Sequence, residues 1–186
     1  MRMTVRSRRA TAGRLMALSV AALALAACSE TLGSFNPQTS RVAEVDSESP
    51  SANAGNIASL TDVIQRNPND SVAYNTRGIA YAKAGNYKSA IDDFTKALEI
   101  EPKAVSARYY RGIAYREKGQ FDWAIEDFTK ILEIDPKAAG TYYHRALTYY
   151  YKKEYDKSWK DMKKAQDLGY QIPSDFLEKL RKSLAR

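Results

Sequence analysis

The chain has 186 residues, with 29 lysines and arginines, 22 aspartates and glutamates, and a formal charge of +7. This length suits one modest domain with a tail and is too short for two full-sized domains. A single cysteine and a single histidine argue against a disulfide framework, a Cys/His zinc site and a Ser-His-Asp triad, so we expect no metal and no cofactor.

The first 27 residues have the composition of an export signal. They contain five arginines and no acid, and therefore account for five of the seven positive charges. Arg14 is followed by an uncharged apolar run, Leu15–Ala27. Thirteen helical residues reach about 20 Å, short of the roughly 30 Å hydrocarbon core of a bilayer. We therefore predict that residues 1–27 form a cleaved signal peptide and not a transmembrane helix.

The apolar run ends in Leu25-Ala26-Ala27-Cys28, which resembles the lipobox of bacterial lipoproteins. The resemblance implies cleavage before Cys28, acylation of the new N-terminus and a lipid-anchored protein that faces the periplasm. Ser29 in place of an aspartate after the cysteine favours the outer membrane under enterobacterial sorting rules. The alternative is an ordinary signal peptide with a stray cysteine. The position of the only cysteine in the chain favours the lipoprotein.

Residues 28–54 are rich in serine, asparagine, proline and glutamate and have little apolar periodicity. This composition predicts a disordered tether that begins at the acylated Cys28. From residue 28 onward the chain has 24 basic and 22 acidic side chains, which is close to neutral. Because the mature protein has so little net charge, we expect no nucleic-acid partner.

The rest of the chain is an internal repeat of 34 residues. Residues 70–103 and 104–137 share 18 identical positions of 34, and prolines fall at 68, 102 and 136. Within the first repeat, Tyr74, Gly78 and Tyr81 lie on one face of a predicted helix. A second apolar stripe begins at Ala90, and Pro102 ends that helix because the residue before a proline disfavours helical geometry.

Helical pairs with this period and pattern resemble the tetratricopeptide repeat (TPR) family. The resemblance implies an all-α fold, a right-handed α-solenoid of helix-turn-helix repeats with a terminal capping helix. It rests on small, aromatic and proline positions that recur 34 residues apart: Gly78, Tyr81, Ala90, Phe94 and Pro102, then Gly112, Tyr115, Ala124, Phe128 and Pro136. The predicted TPR domain, about 55–186, divides into a half repeat, three repeats and a cap: about 55–69, 70–103, 104–137, 138–171 and 174–185.

The third repeat departs from the pattern, because its turn Lys152-Lys153-Glu154 lacks the glycine of the other two. The resemblance also implies a concave groove that binds a peptide through the first helix of each repeat. Its ligand-facing positions are Asn75, Ile79, Lys83, Tyr109, Ile113, Arg116, Glu117, Tyr143, Leu147, Tyr150 and Tyr151. The alternative is that these tyrosines pack against the capping helix or against each other. Ile79 and Ile113 stand where the carboxylate clamp of chaperone-binding relatives needs asparagine, so we do not expect capture of a free C-terminus in that manner.

Three other features have a structural and a functional interpretation. A basic stripe is formed by Lys153, Lys157, Lys160 and Lys164. It would meet an acidic partner, anionic lipid or cell-wall polymer or, more simply, face solvent. His144 has no second histidine beside it and is interpreted as a packing or groove-lining residue. The acidic pairs at 92–93 and 126–127 recur with the repeat, and we interpret them as helix-surface charges and not as a catalytic pair.

These patterns predict a non-catalytic, lipid-anchored periplasmic adaptor that binds an envelope protein or peptide in the TPR groove. The alternative is a self-associating structural or pilotin-like assembly factor for a secretion or pilus machine, which would form a homodimer. Three repeats are near the minimum for a stable solenoid, so burial of one face in an oligomer would add stability. No constellation of side chains supports an enzyme.

Overall fold

The structure, a computed structural model, describes residues 50–185. These residues form eight α-helices and no strand. In chain order the helices are α1 (Pro50–Arg66), α2 (Ser71–Lys83), α3 (Tyr87–Ile100), α4 (Val105–Glu117), α5 (Phe121–Ile134), α6 (Ala139–Tyr151), α7 (Tyr155–Asp167) and α8 (Ser174–Leu184). The prediction of an all-α solenoid of helical hairpins is confirmed. Within residues 50–185, no helix has both the length and the apolar character needed to cross a membrane.

Three hairpins follow one another, and short local signals set their ends. The Asp70 side chain accepts a hydrogen bond from the backbone N–H of Ala73 at 2.9 Å and so caps the start of α2. The turn after α2 contains Gly85 at φ 76°, in the left-handed region that glycine adopts without strain. The third hairpin makes the same turn with Lys153 at φ 66°. The missing glycine therefore leaves the turn geometry unchanged.

The core of each hairpin lies where its two helices approach most closely. A side chain on Gly78 would place its Cβ 2.7 Å from Cε1 of Phe94, and the equivalent contact of Gly112 with Phe128 would be 2.9 Å. Both phenylalanine rings are fully buried. The third hairpin has Ala146 and a fully buried Met162 at the corresponding positions. A flexible methionine leaves room for the alanine methyl group, which a rigid ring does not.

A buried ion pair recurs in every hairpin and was missed in the sequence. The Arg77 guanidinium donates two hydrogen bonds of 2.8 Å to the Asp93 carboxylate and a third, of 3.0 Å, to Thr61 Oγ1 on the preceding helix. The interpretation of the acidic pairs as surface charges is wrong for Asp93 and Asp127, which are 6% and 2% exposed. An ionised carboxylate tolerates such burial only when a bidentate arginine satisfies its oxygens.

The leading helix is longer than the sequence indicated. α1 begins at Pro50, so residues 50–54, predicted to belong to the tether, form the start of a helix. Cys28, the signal peptide and the rest of the predicted tether lie outside the described residues, and their predictions stay predictions. At the other end, α8 is the predicted capping helix. It buries Phe176 and Leu180 against α6 and α7.

Candidate binding groove

The first helices of the three hairpins, α2, α4 and α6, carry the predicted groove residues and are joined directly by side-chain hydrogen bonds. Asn75 Nδ2 on α2 donates to Ser106 Oγ on α4 at 3.2 Å. Arg116 Nη1 on α4 lies 3.0 Å from His144 Nδ1 on α6. Because a guanidinium has only donors, His144 Nδ1 must accept, and the imidazole proton is on Nε2. These contacts fix the three helices side by side.

Tyr109 is a correction to the predicted groove surface, because it belongs to the core. Its side chain is 2% exposed, and its ring makes edge contacts with Phe128 at 6.1 Å and with His144 at 5.3 Å between centroids. Burial raises the pKa of the Tyr109 hydroxyl far above its ordinary value. The ring lies among α4, α5 and α6 and is not part of the exposed groove surface.

Two of the predicted groove tyrosines on α6, Tyr143 and Tyr150, are covered by the C-terminal segment. Tyr143 stacks on Tyr170 with centroids 4.8 Å apart and meets the edge of Phe176 at 5.9 Å. Tyr150 also contacts Phe176, at 5.6 Å, and Leu147 packs against the same cluster. Burial raises the pKa of Tyr143 to about 12. Packing against the capping helix, the alternative for these tyrosines, is the arrangement observed.

The open part of the predicted groove therefore lies on α2 and α4. Ile79 and Ile113 are half-buried, and Lys83 is exposed. Arg116 adds a guanidinium that is 11% exposed and is held by Glu117 at 2.9 Å and by His144. Tyr151 is the one predicted α6 position that stays exposed, at 55%, and it stacks on Phe121. This surface combines apolar side chains with a positioned cation.

Residues 71–104 and 105–138 match the family profile described as tetratricopeptide repeat. These two segments are TPR units. The boundaries predicted from the sequence, 70–103 and 104–137, lie one residue earlier. The profile does not extend to the third hairpin, although α6 and α7 pair in the same way and carry the same buried ion pair, Arg145 with Asp161 at 2.6 Å.

Solved TPR structures share the fold. MamA from Desulfovibrio magneticus RS-1 is 27% identical with a TM-score of 0.58, over 61% of this chain and 64% of that one. Another crystal structure of MamA is 28% identical, over 60% of this chain and 66% of that one, with a TM-score of 0.58. The first TPR domain of human RPAP3 has a TM-score of 0.59 at 22% identity, over 63% of this chain and 94% of that one, and shows the fold alone. No curated protein sequence matches the chain significantly.

The basic stripe of the third hairpin, with Lys152 beside it, is only partly neutralised. Lys152 contacts Asp122 at 2.7 Å and Glu154 at 2.6 Å, and Lys157 contacts Glu154 at 2.7 Å. Hydrogen bonds to these carboxylates raise the pKa of Lys152. Lys160 and Lys164 are exposed on the outer face of α7. The described residues hold no group of three or more side chains suited to bind a metal ion.

The hydrogen bonds that two residues make beside the groove were not predicted. His144 was interpreted only as a packing or groove-lining residue, yet it is the acceptor that holds Arg116 in place. Ser106 bridges to Asn75, whose Oδ1 is buried without a hydrogen-bond partner. The TPR pattern specifies small and aromatic positions. It does not specify polar contacts between successive units, so no signal in one sequence would have found them.

Proposed function

We propose that this protein is a non-catalytic scaffold that binds a peptide segment of a partner protein on the concave face of its first two TPR units. The observation that carries the proposal is that α8 covers the third unit and leaves Ile79 and Ile113 partly exposed. Apolar side chains beside a fixed guanidinium suit a peptide that combines an apolar anchor with a carboxylate. His144 is buried, neutral and bonded to Arg116, so it is not placed to act as a general base.

The groove is tested by a matched pair of variants. Ile113→Ser removes an apolar contact from the proposed binding surface, whereas Ile134→Ser alters an isoleucine that is 56% exposed at the end of α5. We expect crosslinking mass spectrometry in intact cells to lose a partner in the first variant and to keep it in the second. Circular dichroism confirms that both variants are folded. Identical partner sets for the wild type and Ile113→Ser would refute the groove.

The location belongs to the same proposal, a lipid-anchored protein of the envelope that faces the periplasm, most simply at the outer membrane. It is supported by the lipobox-like Leu25-Ala26-Ala27-Cys28 and the basic residues before it. Several acyl chains on Cys28 would give stable anchoring, since each buried methylene contributes about 0.8 kcal/mol. Cys28→Ser should move the protein from the membrane fraction to the soluble fraction. A mature protein whose mass shows an unmodified cysteine would refute the anchor.

Self-association remains the second candidate because one specific surface favours it. Trp123 is 58% exposed on the outer face of α5 and lies 6.3 Å from Tyr115 between ring centroids. Large exposed aromatic side chains are enriched at protein interfaces. Sedimentation at micromolar concentration should show a dimer that Trp123→Ala dissociates. A strict monomer would eliminate this candidate and leave the groove proposal intact.

A further inference from the structure

The N-terminal end of the solenoid has a cavity of about 340 Å³ between α1 and α2. Ser59 and Leu60 of α1 line it from one side, and Thr76 and Ile79 of α2 from the other. When the sequence is shifted by the 34-residue period, α1 aligns with α3, the second helix of the first TPR unit. No described residue forms the first helix that such a unit would have.

In the other units, the first helix covers the face that is open on α1. Three α1 positions, Asn56, Leu60 and Val63, correspond 34 residues later to Ala90, Phe94 and Ala97, and 68 residues later to Ala124, Phe128 and Ile131. All six of the later residues are 0% exposed. On α3 they pack in one cluster with Tyr74, Tyr81 and Ala82 of α2. On α1, by contrast, Val63 is 40% exposed.

We propose that this open end binds an amphipathic helix of another protein, which takes the place of the first helix that α1 lacks. The incoming helix needs a small residue at its centre, because the helices that fill the equivalent position have Gly78, Gly112 or Ala146 there. It needs larger apolar residues one turn to either side, as α2 has in Tyr74 and Tyr81. Leu60 stands where the other units have Phe94 and Phe128, so alanine is accommodated at the centre.

The sequence argues against supply of this helix by the chain itself. The period places residues 37–49 at the position, but Glu44 then falls opposite Leu60, where Gly78 stands in the next unit. An unpaired carboxylate buried there would cost several kcal/mol or lose its charge. A second copy of the chain is also unsuited to supply this helix. Its first helices, α2, α4 and α6, already pack their apolar faces against the second helix of the same hairpin. It would have to unfold a hairpin to make one of them available.

This surface shares Ile79 with the concave groove but extends over α1 and not over α4. It is tested with a defined probe. The probe is a fluorescent peptide with the sequence of α2, Ser71–Lys83, held helical by a side-chain lactam on its solvent face. It carries Arg77→Gln, because Ser59 replaces the aspartate that pairs with this arginine. A photoreactive group at the peptide's central position reports the contact. We expect saturable binding to the full-length protein and crosslinks to α1 and α2 at the cavity.

Two variants of the full-length protein locate the binding. Val63→Asp places a charge on the open face and should weaken peptide binding about tenfold or more. The matched control Ile134→Asp alters a similarly exposed aliphatic residue away from the cavity and should leave binding unchanged. Ile113→Ser should also leave it unchanged, so this proposal and the groove proposal fail separately.

Several outcomes would overturn the proposal. One is that peptide binding does not saturate at about millimolar peptide. Others are that the peptide binds Val63→Asp as tightly as the wild type, or that it crosslinks to α4 and α6 and not to the cavity. A dimer that only Val63→Asp dissociates would assign the surface to a second copy. Crosslinks in the peptide-free protein between residues 37–49 and α1 would assign it to the chain's own preceding segment.

Discussion

His144 is a buried titratable side chain beside the groove. Its imidazole is surrounded by the rings of Tyr109, Phe128 and Tyr143, and its Nδ1 accepts a hydrogen bond from Arg116. Burial, and secondarily the charge of Arg116, lower its pKa to about 3. The histidine is therefore neutral in the folded protein at any physiological pH. It orients the guanidinium of Arg116, a cation of the proposed groove.

This pKa makes stability depend on pH. Below about pH 6.5 the unfolded chain binds a proton at His144 and the folded chain does not, so the free energy of unfolding falls as pH falls. The loss approaches about 1.4 kcal/mol per pH unit below about pH 5.5, amounts to about 2 kcal/mol between pH 7 and 5, and continues down to the folded pKa. Urea titrations between pH 7 and 5 should show this slope. His144→Gln keeps an acceptor for Arg116 and should flatten it, and an unchanged slope would contradict the burial of a neutral imidazole.

The close approach of α2 and α3 predicts a coupling between two positions. Gly78→Ala would drive its Cβ into the Phe94 ring at 2.7 Å. The overpacking costs about 1–3 kcal/mol, against a gain of about 1 kcal/mol in helix propensity. Combining it with Phe94→Met reproduces the pair found in the third hairpin, Ala146 with Met162. A double-mutant cycle in urea should show a favourable interaction of about 1 kcal/mol. Simple additivity would contradict the assigned contact.

At the scale of elements, a ladder of buried ion pairs connects each hairpin to the one before it. In each rung an arginine on the first helix pairs with an aspartate 16 residues later and donates to a threonine 16 residues earlier. The three rungs are Thr61–Arg77–Asp93, Thr95–Arg111–Asp127 and Thr129–Arg145–Asp161. Because each arginine touches two successive second helices, the ladder fixes the spacing between units as well as the pairing within one.

Replacing one partner of a buried ion pair should lower the free energy of unfolding more than replacing both partners. Arg145→Leu leaves the Asp161 carboxylate buried, at 8% side-chain exposure, without a counter-charge, and should lower the free energy of unfolding by about 3–5 kcal/mol. Adding Asp161→Leu should recover much of that loss, because two apolar side chains then replace the pair. Lys88→Ala breaks an exposed pair with Asp92 and should cost less than about 1 kcal/mol. Equal losses for Arg145→Leu and the double variant would contradict the burial argument.

At the scale of the whole described domain, each unit contacts only its neighbours, so stability should decrease toward the ends. α4 and α5 pack between other hairpins, whereas α1 has an uncovered face and α8 ends the stack. Hydrogen exchange followed by mass spectrometry should show the slowest amide exchange in α4 and α5 and the fastest in α1 and α8. Uniform protection across all eight helices would mean that the domain opens only as one cooperative unit.

Closure of the C-terminal end of the solenoid makes the groove smaller than the repeat pattern indicated. A regular TPR pattern assigns ligand-facing positions to each first helix, and α6 has tyrosines at several of them. The solenoid has to close its C-terminal end, however, and α8 does so by packing Phe176 on Tyr143 and Tyr150. Tyr143 and Tyr150 therefore stabilise the packing of α8 and are not available to bind a ligand. The surface left for a partner is on the first two units.

Periodicity by itself determined the helices, their pairing and the close contacts of Gly78 and Gly112, because each of these depends on residues within one 34-residue unit. Only the tertiary structure decided the burial of Tyr109, the Arg116–His144 contact, the covering of the α6 tyrosines and the open end at α1. These features arise between units that are distant in sequence. A repeat specifies what every unit has in common, whereas the surfaces that bind depend on where the stack of units begins and ends.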